Sequence, residues 1–274
     1  MITSKKDAMN IDEVRDSVVL MLTASIDTKN VWSILRDPKE RQRQYKDTLR
    51  HYLEKDTFFR KILFVENSGW PLDELKKDLE NPTGKEIEYL SLDCNDFPNK
   101  FTKGYGEFVM MRQALDRSEL LANSKYFAKL TGRLTLKNPK KILLNLAPGS
   151  IVLCDFKGMV KFKKTVFFKK HPDTFRDHCD TRFIVFETDF FRREFELGLS
   201  QHSEGPFYVE TRFYDRIKDL LDQGRGGIHT RFPVEPRFSG VSGHFSTFSY
   251  SGLRERFRCR VGDILRKIFP RLYF

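Results

Sequence analysis

The sequence predicts an α/β protein built on a parallel sheet, followed by a second half of mixed character. Short continuous apolar runs recur along the first half, and segments with helical spacing of apolar residues separate them. Continuous apolar runs are typical of strands buried on both faces, and alternation of strands with helices is typical of parallel sheets. The chain has 274 residues, of which 39% are hydrophobic, so it can bury a sizeable core.

Four strands are predicted in the front half, at about residues 17–135. They are Ser17–Thr23, Lys61–Glu66, Ile87–Leu92 and Tyr126–Thr131. Helices are predicted between them over Pro38–Leu53, Leu72–Leu79 and Phe108–Leu121. The first helix has clear start signals, because Asp37 is a good N-cap residue and proline is favoured at the first helical position. The glycine-bearing segment Lys103–Glu107 is predicted as a loop that leads into the last helix.

Shorter elements are predicted in the second half, at about residues 136–252. The strand candidates are Ile142–Leu146, Ile151–Asp155, Val166–Phe168 and Thr181–Glu187, and the helices are Asp189–Leu197 and Thr211–Leu221. Residues 224–250 are rich in Gly, Ser, Phe and Pro and are predicted as loop. Because no linker separates the halves, we expect one domain over residues 1–252 and a tail at 253–274.

The charge and the cysteines restrict the class of protein. A net charge of +11 implies an anionic partner, which could be nucleic acid, a phosphorylated small molecule or an acidic membrane. No apolar run approaches the ~20 residues that span a bilayer, and the first seventeen residues lack a secretory pattern, so a cytoplasmic protein is expected. The four cysteines show no metal-ligand spacing, which favours reduced thiols without a zinc or catalytic role.

The tail at 253–274 is predicted to be a basic amphipathic helix. Its apolar residues recur at steps of three and four, so they share one helical face. They are Leu253, Phe257, Val261, Ile264, Leu265 and Ile268. Seven basic residues stand around them against two acidic ones, and aromatic residues end the chain. Such a helix suits an anionic membrane surface, whereas packing of its apolar face on the protein's own core is the alternative.

Two segments of the front half are suited to binding phosphate. In Lys103–Glu107, two glycines would let the backbone approach a ligand closely at the start of a helix, where anions are favoured. The pattern is neither a P-loop nor a dinucleotide fingerprint, so an ordinary glycine turn is the alternative. At the end of the fourth strand, Arg133 offers a planar fork that pairs with phosphate, although a solvated strand-end arginine is equally compatible.

Three charged residues of the second half are candidates for catalysis. Asp180 and Arg182 enter a predicted strand two residues apart and would face one side, as a clamp for ligand hydroxyls or as a surface ion pair. Glu210 precedes a helix among aromatic residues, and a carboxylate in apolar surroundings tends to a raised pKa, as a general base requires. A first-turn glutamate that complements the helix dipole is the alternative.

Seven short motifs follow one another along about residues 18–245 in a fairly specific order. They are Leu22-Thr-Ala-Ser-Ile, Val65-Glu-Asn-Ser-Gly-Trp, Lys103-Gly-Tyr-Gly-Glu, Lys129-Leu-Thr-Gly-Arg, Asp180-Thr-Arg-Phe, Tyr208-Val-Glu and Gly240-Val-Ser-Gly. In this order they resemble a family of bacterial glycosyltransferases met in gene clusters for surface polysaccharide, such as O-antigen, capsule or lipopolysaccharide (LPS). The layout is also similar to the A-type glycosyltransferase (GT-A) fold, a single Rossmann-like α/β domain that binds a nucleotide-sugar.

The resemblance implies a donor site at the carboxyl ends of the predicted strands, in a nucleotide-binding front half, with the acceptor on the side of the second half. It implies that base and ribose are held by Thr23, Ala24, Ser25, Glu66 and Asn67. It implies that the donor diphosphate faces Lys103, Gly104, Gly106, Glu107, Thr131, Gly132 and Arg133. By order along the chain, Glu210 would be the base, with Asp180 and Arg182 positioning the donor sugar or the acceptor.

One departure from the resembled fold concerns the metal. The fourth strand there normally ends in Asp-x-Asp, which holds a divalent ion on the diphosphate, whereas this chain has Leu130-Thr-Gly-Arg133. A protein cation could then neutralise the leaving diphosphate directly. We therefore expect a transferase with no required metal cofactor, although a metal site at Asp155 or Asp180 is compatible with the sequence.

The expected partners are a nucleotide-sugar donor, a lipid-linked or oligosaccharide acceptor and, through residues 253–274, the anionic inner face of the cell membrane. Two other classes stay open. A basic nucleic-acid-binding protein is one, but the basic excess is concentrated in the tail and no RNA-recognition or zinc-finger signature occurs, so no nucleic-acid partner is expected. A non-catalytic scaffold that binds a nucleotide-sugar is the other.

Overall fold

Strands and helices alternate along the front half of the protein, which confirms the predicted α/β class. The computed structural model describes residues 9–29, 33–98, 101–144, 146–158, 177–195, 207–240, 250 and 252–269. The strands are β1 (Val18–Ala24), β2 (Lys61–Glu66), β3 (Glu86–Ser91), β4 (Tyr126–Thr131), β5 (Leu134–Leu136), β6 (Val152–Leu153), β7 (Phe156–Lys157), β8 (His178–Cys179), β9 (Phe183–Glu187), β10 (Ile228–His229) and β11 (Phe238–Gly240).

The helices flank these strands. They are α1 (Ile11–Ser17), α2 (Pro38–Arg50), α3 (Asp73–Lys76), α4 (Lys103–Arg117), α5 (Glu119–Ala122), α6 (Pro139–Leu143), α7 (Thr188–Glu194), α8 (Val209–Asp222) and α9 (Leu253–Ile268). A π-helical turn at His51–Lys55 continues α2. The predicted N-cap of α2 is confirmed, since the Asp37 side chain accepts a hydrogen bond from the Lys39 backbone N–H at 3.1 Å.

Seven strands form the central sheet in the order β10-β6-β9-β4-β1-β2-β3. β1 pairs in parallel with β2 on one side and with β4 on the other, and β2 pairs in parallel with β3. β9 runs antiparallel between β4 and β6, which gives the second half its mixed character. The winding of the chain therefore changes direction between β1 and β4. In open α/β sheets, ligands bind at such a switch point, outside the carboxyl ends of the strands.

The central strand β1 is buried along its whole length. Val18, Leu20 and Leu22 contribute to the core on one face of the sheet, together with residues of α1, α2 and α3. Val19 and Met21 contribute to the core on the other face, together with residues of α4, α7 and α8. This two-sided burial explains why the strand reads as a continuous apolar run rather than as an alternation.

Aromatic rings dominate the second of these cores. The ring of Phe186, on β9, lies 5.7 Å from Phe127, 4.8 Å from Phe191, 5.4 Å from Phe195 and 5.5 Å from Phe213, measured between centroids. Phe186 is fully buried. The cluster joins β4, β9, α7 and α8, so it fixes the two helices of the second half against the parallel front half.

Two predicted elements are wrong. Ile142–Leu146 was expected as a strand, but Ile142 and Leu143 lie in α6, which begins at Pro139. Proline at the first helical position presets the backbone, and this local signal outweighs the apolar run. Lys103–Glu107 was expected as a loop but forms the first turns of α4, with Gly104 and Gly106 both inside the helix.

The sequence analysis missed α1 and the short strands β5, β7, β8, β10 and β11. α1 begins with a capping box formed by Asn10 and Glu13, in a segment for which no element was predicted. The predicted loop at 224–250 contains β10 and β11, each of only two or three residues. The strand predicted at Val166–Phe168 lies outside the described residues, as do the chain end at 270–274 and most of the Gly240-Val-Ser-Gly motif.

The tail and the cysteines complete the description. α9 is helical as predicted, and no helix in the described ranges combines the length and the apolar composition needed to cross a bilayer. All four cysteines are free thiols, of which Cys154, Cys179 and Cys259 are buried.

Replacing Phe186 with alanine is expected to lower the free energy of unfolding by about 3–5 kcal/mol, because it leaves a cavity among four rings. Chemical denaturation followed by circular dichroism measures this change. Phe257→Ala is the matched control, since that ring is 69% exposed and its loss should change stability by less than about 0.5 kcal/mol. Equal effects of the two substitutions would contradict the proposed role of the cluster.

Candidate functional site

A cleft of about 210 Å³ opens at the switch point, at the carboxyl ends of β1 and β4. From the front half, the predicted site residues in its lining are Thr23, Ala24, Ser25, Asn67, Thr131 and Arg133. From α4 and the second half, they are Lys103, Gly104, Glu107, Arg182 and Glu210. Residues from distant parts of the sequence thus meet in one cavity. The volume is below the roughly 300–1,000 Å³ of sites that enclose a drug-sized ligand, so it suits part of a larger ligand.

Four predicted site residues do not line the cleft, and Glu66 is one of them. The Glu66 side chain is fully buried and accepts hydrogen bonds from the backbone N–H groups of Ile26, Ser68 and Trp70 at 2.9–3.0 Å. The Ser68 hydroxyl donates a further bond at 2.5 Å. Burial raises the pKa of Glu66, and these hydrogen bonds oppose the shift. The residue therefore braces the loops after β1 and β2.

Gly106 and Gly132 also lie outside the lining, and both are required by close packing. A Cβ at Gly132 would lie 2.6 Å from the carbonyl oxygen of Thr23. The same oxygen accepts a hydrogen bond from the Gly132 backbone N–H at 2.9 Å. A Cβ at Gly106 would lie 2.7 Å from the ring of Phe97. Gly104 does line the cleft, but a Cβ there would lie 3.0 Å from Val209. These glycines let protein segments approach one another closely.

Arg133 is a buried cation without an acidic partner among the described residues. Its side chain donates a hydrogen bond to Gln44 Oε1 at 3.1 Å, and its Nε is buried with no partner among the described residues. Its guanidinium lies 6.0 Å from the centre of the Tyr45 ring. Burial lowers the pKa of Arg133, and the nearby charge of Arg41 lowers it further, whereas Tyr45 opposes the shift. An unpaired buried guanidinium is costly, and a bound anion would relieve that cost.

Arg41 is a second cleft arginine, which sequence reasoning missed. It is buried, lies 5.9 Å from the centre of the Tyr45 ring, and donates to the carbonyl oxygen of Ser25 at 2.6 Å and to the Tyr45 hydroxyl at 3.2 Å. No carboxylate pairs with it in the described part of the chain. Arg41 occurs on a highly charged helix, so its sequence context gave no signal. Tyr45 stands between two like charges, which makes this wall of the cleft electropositive.

Glu107 is held by two residues of the sheet. The Thr23 hydroxyl donates to Glu107 Oε1 at 2.9 Å, and Lys129 Nζ lies 2.6 Å from the same oxygen. The Lys129 side chain is only 1% exposed and also donates to the carbonyl oxygen of Thr181 at 2.6 Å. Because a buried lysine neutralises it, Glu107 is a structural link between α4 and β4. Lys129 belongs to the Lys129-Leu-Thr-Gly-Arg motif, but no local pattern in the sequence predicts its ion pair with Glu107.

Glu210 is the second carboxylate of the cleft, at the start of α8. Burial raises its pKa, the charge of Glu107 adds to this shift, and Lys129 and Lys103 oppose it. No ion pair of Glu210 is found among the described residues. Lys103, at the first position of α4, also lines the cleft. Desolvation lowers the pKa of Lys103, and the charge of Arg133 lowers it further. Attraction to Glu210 and Glu107 opposes this decrease. A carboxylate and two cations therefore act on one another across the cleft.

Asp180 and Arg182 form an internal ion pair. The Arg182 Nε lies 2.9 Å from Asp180 Oδ1, and its Nη2 lies 2.5 Å from Oδ2. Burial by itself would raise the pKa of Asp180, but the charge and hydrogen bonds of Arg182 outweigh burial and hold it well below its usual range. Arg182 also lies 4.9 Å from the centre of the Phe238 ring. Arg182 lines the cleft, whereas Asp180, the fourth predicted residue outside the lining, holds it in place.

Asn67 and Asn95 supply polar groups at the β2 side of the cleft. Asn67 is 3% exposed, and its Oδ1 is buried with no hydrogen-bond partner. The Asn95 amide donates to Ser25 Oγ at 3.2 Å and to the Asp27 carbonyl oxygen at 3.1 Å. Sequence reasoning missed Asn95, because it follows β3 without a motif around it. Asn67 Oδ1 is therefore an available acceptor at the end of the cleft that faces β2.

The residues at the end of β4 do not fit a divalent metal. Thr131, Gly132 and Arg133 supply no carboxylate there, and the Arg133 guanidinium would repel a cation. Within the described ranges, no group of three His, Cys, Asp or Glu side chains could hold a metal ion. The alternative metal residues Asp155 and Asp180 are each engaged by an arginine, Arg266 and Arg182 respectively.

Comparisons with known proteins find structural likenesses at low identity. No protein-family model matches the chain, and no curated protein matches it in sequence. The inositol-1-phosphate CTP transferase of T. maritima is 12% identical, with a TM-score of 0.47, over 91% of this chain and 96% of that one. The 4-diphosphocytidyl-2C-methyl-D-erythritol synthase of Anaerococcus prevotii is 12% identical, with a TM-score of 0.41, over 89% and 96%. An active-site mutant of LgtC is 11% identical, with a TM-score of 0.42, over 78% and 72%. Likenesses of this size do not define a family for the chain.

Replacing Arg133 with methionine is expected to weaken binding of the nucleoside diphosphate that the sequence analysis predicts as part of the ligand about 10- to 100-fold, since a hydrogen bond to a charged group contributes about 1.5–3 kcal/mol. The melting temperature should stay the same or rise, because the substitution removes a buried charge that has no counter-charge. Titration calorimetry against UDP, GDP, CDP and dTDP and thermal melting measure the two effects.

Arg182→Met is the contrasting variant for this test. It leaves Asp180 as a buried carboxylate without a cation, so it should cost about 3–5 kcal/mol of stability. If Arg133→Met lowered the melting temperature as much as Arg182→Met did, Arg133 would be a structural arginine and not an anion-binding one.

Proposed function

We propose that the protein is a glycosyltransferase that moves a sugar from a nucleotide-sugar to a growing glycan of the cell surface, such as O-antigen, capsule or LPS. One observation carries the proposal. The cleft at the switch point contains a buried guanidinium that has no acidic partner among the described residues, a lysine at a helix start and a carboxylate of raised pKa. Transfer of a sugar from a diphosphate requires fixed cations that stabilise the leaving group and a base that accepts the proton of the acceptor.

The cations would act on the leaving group. Arg133 has a buried Nε without a partner, and Lys103 stands at the N-terminal end of α4, where backbone N–H groups also favour anions. As the bond between the anomeric carbon and the phosphate oxygen breaks, negative charge grows on the diphosphate. Groups that are already oriented toward that charge lower the barrier most, because they need no reorganisation.

Glu210 would be the general base. It would accept the proton of the acceptor hydroxyl while that oxygen attacks the anomeric carbon, and such a direct displacement inverts the configuration. Its raised pKa brings its basicity closer to neutral pH, where proton transfer is most effective. Glu107, the other carboxylate of the cleft, is unsuited to this role because Lys129 and Thr23 already occupy one of its oxygens.

The remaining residues would position the substrates. Thr23, Ala24, Ser25 and the acceptor oxygen of Asn67 lie at the ends of β1 and β2, where a nucleoside would contact the cleft. Arg182, held by Asp180, would orient the donor sugar or the acceptor. The cavity is small, so the nucleoside or the acceptor would extend along the surface beside it.

The acceptor and the location belong to the same proposal. The motif order supports a surface glycan, either lipid-linked or as an oligosaccharide, and hence action at the inner face of the cell membrane. The donor site would work without a metal, because Arg133 occupies the place of the acids that would hold one. No nucleic-acid partner is proposed, since the cleft would use its cations on a diphosphate.

Replacing Glu210 with glutamine is expected to lower kcat/KM at least about 100-fold, the usual contribution of a general base. Radiolabelled or coupled-assay transfer from the nucleotide-sugar found in a thermal-shift screen measures it. The fold should survive: because the folded state raises this pKa, the charged Glu210 costs stability at neutral pH, and glutamine removes that cost.

The pH dependence of wild-type activity is a second test of Glu210 as the general base. Activity should fall as pH drops through the raised pKa of Glu210, so the acid limb should lie above the 4.5 of an ordinary glutamate. Near-normal turnover of a folded Glu210→Gln variant would contradict the assignment. Binding of the donor without transfer or hydrolysis in the wild type would favour the scaffold alternative.

Chelation is expected to leave donor binding unchanged. Titration calorimetry of the matching nucleoside diphosphate in EDTA and in Mn²⁺ should give the same Kd within about threefold, because the chain carries no acid at the end of β4, where Thr131, Gly132 and Arg133 stand. Tight binding that vanishes with EDTA and returns with Mn²⁺ would show that a metal, and not the protein's own cations, holds the diphosphate.

A further inference from the structure

α9 exposes its apolar residues to solvent instead of packing them on the protein. The exposed fractions are 81% for Leu253, 69% for Phe257, 37% for Val261, 56% for Ile264 and 60% for Ile268. We call these five residues the outer stripe. At 100° per residue they fall within one arc of about 80° on the helix. The alternative that the sequence analysis left open, packing of this face on the core, is therefore excluded for the five.

The opposite, polar face of α9 attaches the helix to the protein. Glu255, Cys259 and Arg266 are buried on that face. At Gly262 the helix approaches Glu235 so closely that a Cβ would overlap the Glu235 side chain. Burial of charged and small residues, with apolar residues outside, is the reverse of the arrangement expected for a surface helix of a globular protein.

Arg266 is the centre of this attachment. Its Nη1 and Nη2 contact the two carboxylate oxygens of Asp155 at 2.8 and 2.6 Å, and its Nε contacts Glu235 Oε1 at 3.1 Å. It also donates to the Phe232 carbonyl oxygen at 3.0 Å. Lys157 Nζ lies 2.6 Å from Asp155 and completes a cluster of two cations and two anions. Removing one member of such a buried cluster leaves an uncompensated charge, so the helix cannot roll to bury its outer stripe.

Basic residues flank the outer stripe on both sides. Arg254 and Arg258 follow it around the helix in one direction, and Arg256, Arg260 and Lys267 follow it in the other, all of them exposed. The two acidic residues of α9 lie away from the stripe: Glu255 is buried and pairs with Arg258, and Asp263 pairs with Arg237. The solvent face of α9 therefore presents an apolar strip between two cationic borders, without an acid in the strip.

We propose that the outer stripe of α9 lies in the interface of an anionic lipid bilayer, parallel to its plane, with its arginine borders on the lipid headgroups. A bilayer fits better than a second protein because the strip is narrow and both borders carry the same sign of charge. The choice of this occupant rests in part on the proposed function, which places the acceptor at a membrane.

The attachment also places the donor cleft near that surface. Glu235, which Arg266 contacts, lies three residues before β11, and β11 pairs with β5 directly after Arg133. Tyr250, which lines the cleft, precedes the start of α9 by three residues. Segments adjacent in the chain to the helix and to its attachment thus reach the lining of the cleft, so an acceptor held in the membrane would need only a short reach to the cleft.

Sedimentation of the full chain with vesicles tests the proposal. Vesicles of equimolar phosphatidylglycerol and phosphatidylcholine should bind the protein at least about tenfold more tightly than pure phosphatidylcholine, and added salt should weaken the binding. Phe257→Ser should weaken binding to the anionic vesicles at least about tenfold, because it removes a ring from the apolar strip. Arg256→Glu combined with Arg260→Glu should weaken it at least about 25-fold.

Leu221→Ser is the matched control, since Leu221 is also exposed, at 37%, but lies on α8. It should bind vesicles as the wild type does. All variants should keep the wild-type melting temperature, since none of the replaced side chains is buried. Absence of wild-type binding to anionic vesicles, or equal binding by Phe257→Ser and wild type, would overturn the proposal.

Size-exclusion chromatography without lipid provides the other decisive outcome. A wild-type dimer that Phe257→Ser converts to a monomer would show that a second copy covers the strip, and would overturn the bilayer as occupant.

Donor hydrolysis in lipid-free solution tests the proposed function separately. Vesicle binding without hydrolysis would leave the bilayer contact supported and the transferase wrong, and hydrolysis without vesicle binding would show the reverse.

Discussion

The parallel pairing of β1 with a strand on each side is the constraint on which the candidate site depends. Thr23 lies beside Val65 of β2 and beside Thr131 of β4, so the three strands end together. The loops beyond these ends carry hydrogen bonds back to the strand, from Asn67 N–H to Ala24 and from the residue after Thr131 to Thr23. Segments more than a hundred residues apart thereby line one cleft, and Glu66 holds the adjacent loops in a single arrangement.

The protein buries charged groups in two different ways, and the difference separates structure from chemistry. Lys129 is buried beside Glu107, and the half-buried Arg182 pairs with the buried Asp180, so both charges are compensated inside the fold. Arg133 has a buried Nε and no such partner among the described residues. A fold that leaves Arg133 and Arg41 without a carboxylate among the described residues at a switch point retains free energy for binding an anion, whereas compensated pairs only fix geometry.

Compensation of buried charges also explains how the tail helix α9 is attached to the protein. The cluster around Arg266 satisfies every charge at the contact between α9 and the protein, so this contact needs no apolar surface. The apolar residues of α9 are consequently left on the outside, between basic residues that contribute to the net charge of +11. Tyr250, three residues before α9, and Leu134 of β5, which pairs with β11, both line the cleft. The contact that holds α9 is therefore connected through the chain to the lining of the cleft.

The sequence by itself determined the elements whose signals are local. The parallel front half is identified by the apolar runs of β1, β2 and β4 and by the Asp37 cap of α2. Burial on both faces and helix capping each require particular residue types within a few positions, so a local pattern predicts them. The turns at Gly104 and Gly106 were misread, since a glycine required for packing has the same pattern as one required for a ligand.

Only the tertiary structure decided which charged residues have partners and which way α9 faces. Arg41 enters the cleft because loops from other elements surround it, and Arg266 is fixed by Asp155, which lies 111 residues earlier in the chain. An amphipathic pattern defines the two faces of a helix but not which of them is buried. That choice depends on the free energy of contacts between residues that are distant in sequence, which no local pattern contains.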